Sequence, residues 1–244
     1  MKRLVCSAIV AALCVAASAR ADSILYESAT NGGGTNDGGV AILFNQFLAS
    51  EFTLSSVATI TNIIGQVQWF GNSQTPNNFF MTLLQLSGPG IPNNLVGDPF
   101  GGTTQLYTTT FSAAPGTTSQ EVSFPVSISV LPGTYAVVFG SGLFGSPVTA
   151  EGYMPDGPLA GNVVQPGANL FTWFANAPPL VFANARWFDT GNQGERFVVE
   201  GTVPDPSSIL LVGFGLITLV AFCRKGKISQ RSPRREQNRS PWNY

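Results

Sequence analysis

The clearest alternation of apolar and polar positions runs through Glu121–Val130, EVSFPVSISV. Val122, Phe124, Val126, Ile128 and Val130 fall on one side, and Ser123, Pro125, Ser127 and Ser129 on the other. Successive side chains of a strand point to opposite faces, so this period of two predicts a half-buried strand. Pro125 has no N–H to donate to a ladder, which predicts an edge position. Leu131-Pro132-Gly133-Thr134 then supplies turn chemistry, after which Tyr135, Val137 and Phe139 alternate with Ala136 and Val138. The two runs read together as a hairpin.

Shorter runs predict strands at Ile24–Glu27, Val40–Leu48, Glu51–Ser55, Ile60–Phe70, Phe79–Leu86, Gln105–Phe111, Leu170–Phe174, Leu180–Phe188 and Glu195–Val203. No helical stripe stands out between Asp22 and Val203. Many short strands separated by turn residues fit an all-β fold, an antiparallel β-sandwich of jelly-roll-like form. A last hairpin is expected around an Asp189–Gly194 loop. It would lay Arg196 on the Trp187 indole and put Arg186 on the same face as Glu195.

Two stretches depart from this pattern. Residues 1–21 begin with Lys2 and Arg3, continue through an apolar run from Leu4 to Ala17, and end in small residues. These are the three parts of a secretory signal helix, with cleavage expected after Ala21. Ser207–Cys223, SSILLVGFGLITLVAFC, carries no charge and lies between Pro204-Asp205-Pro206 and Arg224-Lys225-Gly226-Lys227. At about 1.5 Å per residue such a helix reaches roughly 25 Å, a short single transmembrane span whose flanking side chains reach the interface. The cations behind it are expected to stay cytoplasmic while the leader sends the body outward. The resulting division is a leader at 1–21, a β-sandwich body at 22–203, a sorting and membrane segment at 204–225, and a disordered basic tail at 226–244.

The C-terminal segment resembles the PEP-CTERM sorting signal of exported bacterial proteins. Val203, Pro204, Asp205, Pro206 and Ser207 match its Pro-acidic-Pro motif, followed by the apolar helix and the membrane-stop cluster Arg224, Lys225 and Lys227. Asp205 stands where the family usually has Glu, and the tail to Tyr244 is longer than is usual there. The resemblance covers this segment and not the body. It implies processing near the motif by an exosortase, an integral-membrane cysteine protease or transpeptidase.

Composition sharpens the picture. The chain has 244 residues, of which only 10% are charged, with 27 Gly, 17 Pro and no His. Between Asp22 and Val203, eleven Asp and Glu face two Arg, a net charge near −9, while seven of the twelve basic residues follow Cys223. An acidic body does not condense onto phosphates, so no nucleic-acid partner is expected. Cys6 and Cys14 belong to the leader and Cys223 to the membrane boundary, so the body has no disulfide to rely on.

The same absences limit chemistry. Without His, Cys or Lys the body has no Ser-His-Asp triad, thiol nucleophile, His-bearing zinc site or phosphate-loop lysine. No catalytic residue and no cofactor is expected. Carboxylate pairs drawn from Glu151, Asp156, Asp189 and Glu195 are what a glycosidase would have to use. Asp189, Asn192 and Glu195 offer oxygens in a glycine-rich stretch that suits calcium, as does Asn31–Asp37, although turn chemistry alone explains both. Trp69, Trp173 and Trp187 each adjoin a phenylalanine, so a strand would turn one ring of each doublet outward, where it could stack on a sugar.

The expectation is an exported, non-enzymatic structural or adhesive protein of the cell surface or extracellular matrix. Its partners would be the secretion translocon, signal peptidase, an exosortase-type enzyme and, as a precursor, the membrane. A carbohydrate-binding module with a polysaccharide partner is the alternative, and a carboxylate-dependent glycosidase is a third reading.

Overall fold

The computed structural model describes residues 22–30, 39–44, 46–69, 77–90, 98–113, 119–157, 170–174, 186–189 and 194–204. The expected leader, the apolar segment Ser207–Cys223 and the basic tail lie outside them. Among the described residues there is no helix long and apolar enough to cross a membrane. Arg20–Val203 form one compact unit.

All the described pairings between strands are antiparallel, in two six-stranded sheets. In the first, β1 (Ser23–Glu27) pairs with β12 (Phe197–Thr202), which pairs with β4 (Ala58–Trp69). The order continues through β9 (Gly152–Pro155) to β2 (Gly39–Ile42), while β7 (Gln120–Val130) also pairs with β4. The second sheet runs β11 (Arg186–Asp189), β10 (Leu170–Phe174), β3 (Gln46–Leu54), β8 (Gly133–Gly140), β5 (Asn78–Gln85) and β6 (Thr104–Ser112).

The main core lies between the sheets. Ile60, Ile63, Val67, Phe124, Phe197 and Val199 of the first share one buried cluster with Leu48, Phe52, Phe79, Leu83, Val137 and Phe139 of the second. Aromatic rings bridge the gap: Tyr26 stacks on Phe52 at 5.2 Å, and Phe139 meets Phe197 edge-on at 5.6 Å. Gly65 marks a close approach, because a Cβ there would lie 2.4 Å from the Phe139 ring. Along β4 the pairing register against β12 shifts between Ile60 and Asn62. One extra residue reverses the alternation, so Ala58 and Ile60 before it and Ile63, Val67 and Trp69 after it all reach the core.

The outer face of the second sheet is apolar as well. Phe47, Ala49, Phe80, Leu84, Ala136, Val138 and Trp187 form a second buried cluster, joined by Phe100 and Leu86. Strands buried on both faces lose the alternation that marks a half-exposed sheet. For β7 the alternation survives, with its Ser and Pro positions exposed, and among the described strands it pairs with β4 alone.

Several sequence expectations are corrected here. β7 and β8 are not a hairpin: the turn after Val130 carries the chain from one sheet to the other. The burial of β8 on both faces explains this, since it requires the central place between β3 and β5 that a strand beside Ser-lined β7 would not have. β11 and β12 are not a hairpin either. Trp187 pairs with Trp173 in the second sheet, and Phe197 with Gly65 in the first. The expected break after Leu48 is absent, because β3 runs unbroken to Leu54.

Candidate functional site

Beyond its last ladder residue, Pro155, β9 continues to Asp156, which bridges Glu195 just ahead of β12. The backbone is pinched at this point, with Gly157 N–H donating to Gly194 O at 2.7 Å. Gly194 has φ +101°, and a Cβ on it would stand 2.5 Å from the Gly157 carbonyl oxygen. Only glycine fits such an approach in that region of backbone space. From the other side, Ser28 Oγ at the end of β1 donates to Glu195 O at 2.6 Å and accepts from Phe197 N–H at 2.8 Å.

The backbone of Glu195 is thus held by β1 and β9, while its side chain is left without donors. Glu195 is 1% exposed, and neither carboxyl oxygen has a hydrogen-bond partner. The same is true of the buried Asp156 Oδ1. Ionised carboxylates only accept hydrogen bonds, so two of them facing each other satisfy neither. Burial pushes Glu195 up to about 7; the nearby N–H of its own backbone opposes the rise, and the neighbouring Asp156 adds to it. Burial also raises Asp156. Chemically, the pair can hold a proton near neutrality.

One residue along, the chain compensates charge in the ordinary way. Arg196 Nη2 lies 3.1 Å from Glu27 Oε1, and Nη1 pairs with Glu121 Oε2. This guanidinium therefore ties the start of β12 to β1 and β7, and it does not rest on Trp187 as the sequence suggested. A further buried acid, Glu51 on β3, accepts from Gly90 N–H at 2.8 Å and is raised mainly by burial, with Asp189 contributing.

The stacking candidates take other roles. Trp69 is 4% exposed in the main core, and Trp187 is 2% exposed in the outer cluster with Nε1 donating to Pro99 O at 2.8 Å. Both rings are buried, so neither is offered to a ligand. Trp173 pairs through its backbone with Phe47 and Trp187. Of the calcium set, Asp189 bears on Glu51 and Glu195 is placed against Asp156, while Asn192 and the Asn31–Asp37 stretch lie outside the described residues. Among the described residues no group of three or more acidic or thiol side chains is placed to hold a metal ion. Of the sorting motif, Val203 and Pro204 follow β12, while Asp205, Pro206, Ser207 and the cluster Arg224, Lys225 and Lys227 lie outside the described residues.

Sequence reasoning placed Asp156 and Glu195 in a set of four acids from which carboxylate pairs could be drawn, without singling out this pair. The bridge that unites them depends on β9, whose four residues GYMP carry no periodic signal.

No protein-family model and no curated protein matches this chain. Among solved structures, a chain from infectious bursal disease virus, Gx strain, aligns at 10% identity over 84% of this chain and 49% of its own, with a TM-score of 0.25. One from the Gt strain gives 10% identity, coverage of 76% and 41%, and a TM-score of 0.25. The chain spans less than half the length of each.

Proposed function

We propose that this protein is an exported, non-enzymatic β-sandwich of the cell surface or extracellular matrix, sorted by a PEP-CTERM-like signal and processed at both ends. The observation that carries the reading is the pairing of the first and last strands. Ser23 lies opposite Gly201 and Glu27 opposite Val198. Both expected cuts, after Ala21 and near Pro204–Pro206, therefore fall just outside a closed ladder. Trimming there removes no strand and leaves the core covered, as a body that matures by losing both flanks requires.

The body's wiring fits the jelly-roll-like form. Strands β2 to β9 divide into β2-β9-β4-β7 and β3-β8-β5-β6, so that early and late strands of the run lie side by side, as in two interleaved Greek keys. A glycosidase reading finds little support in Asp156 and Glu195, because a sugar cannot reach a carboxyl that the fold encloses. The burial of Trp69 and Trp187 weakens the carbohydrate-binding alternative in the same way.

The test is mass spectrometry of the chain after expression in a host with an exosortase-type enzyme. The reading expects mature ends near Asp22 and Pro206 in the envelope or outside the cell. An uncut, full-length chain recovered from the cytosol would overturn it.

A further inference from the structure

We propose that Asp156 and Glu195 form a proton-loaded clasp: one proton shared by two carboxyls closes the neck of the chain excursion between Gly157 and Gly194, and its loss loosens that neck. The excursion carries β10 and β11, the edge pair of the second sheet. Its two ends meet at the Asp156–Glu195 bridge and at the Gly157 N–H to Gly194 O bond.

The geometry leaves a gap that one proton fills. Glu195 Oε1, Glu195 Oε2 and Asp156 Oδ1 are buried and have no donor. Leaving buried acceptors unpaired is destabilising, and more so when they are charged. Protonating one carboxyl removes a charge and creates the missing donor in a single step.

Among the described residues the surrounding charges do not supply another answer. Arg196, next in sequence, is taken up by Glu27 of β1 and Glu121 of β7. Glu200, further along β12, accepts from Asn62 of β4. On β9 the facing acid is Asp156 itself. Burial sets the sign of the effect: Glu195 is lifted from 4.5 to about 7, so the closed clasp keeps a proton that an open, solvated one releases. Opening thus becomes easier as pH rises through this window and no easier above it.

Hydrogen exchange at the Gly157 amide of the full chain, corrected for the intrinsic dependence of exchange on pH, reads the opening directly. Protection should fall about tenfold per pH unit from about pH 5 to about pH 7 and level off above. Glu195→Gln should abolish the slope. If that variant does not fold, Asp156→Asn serves instead, since its amide can donate to the ionised Glu195 and should likewise flatten the profile. Protection that is independent of pH in the native protein, or a slope that persists in the folded variant, would overturn the clasp. Protection restored at about pH 8 by about 10 mM calcium chloride, and lost again in Glu195→Gln, would overturn it in favour of a cation between the carboxyls.

Discussion

Glu195 illustrates how one side chain can set the pH response of a whole fold. Burial in the folded chain pushes its carboxyl up from the ordinary 4.5 to about 7. Below 4.5 both states hold the proton and this group leaves stability at its full value. As pH rises, the unfolded chain releases its proton first, so stability declines until the folded value is passed and is level beyond it. The total decline is about 3 kcal/mol. Urea unfolding of the full chain at a series of pH values should trace this fall, and Glu195→Gln should be about 1–3 kcal/mol more stable than the native protein at about pH 8. Arg196 offers the opposite case. Arg196→Ala would strand the buried Glu27 carboxylate, with a cost of about 3 kcal/mol in urea unfolding near neutral pH. Neither role is visible in the sequence, because Asp156 and Glu195 lie far apart in the chain, as do Arg196, Glu27 and Glu121. Only the sheet wiring brings them together.

Among the elements, β7 was legible and β8 was only half so. Alternation reports which face of a strand is wet, and β7, with Ser123, Ser127 and Ser129 outward, has one wet face. It does not report which strand lies alongside. The sequence therefore supplied both strands and misjudged their partnership, as it did for β11 and β12. In β4 the apolar positions change phase at Thr61–Asn62, a shift that reads as noise until the register break explains it. Packing between the elements is tight enough to test. Gly65→Ala would drive a methyl into the Phe139 ring and should cost about 1–3 kcal/mol. Phe139→Ala removes a side chain that touches Phe111, Phe124 and Phe197 and should cost about 3–5 kcal/mol. In both variants the urea midpoint should drop with little change in slope.

For the molecule as a whole, the all-β class followed from strand-length runs, turn residues and the lack of a helical stripe. The second apolar layer did not. Of the Trp187-Phe188 doublet one ring does turn outward, Phe188, while Trp187 is sealed in the outer cluster with Phe80 and Phe100. The pairing of β1 with β12 has a mechanical consequence. A pull applied through residues 22 and 203 would act at one end of an antiparallel ladder and unzip it rung by rung, a low-force failure. A body tethered through its C-terminal side alone, and gripped elsewhere, would not load that seam in this way. Losing the leader would spare this seam from tension between its two ends.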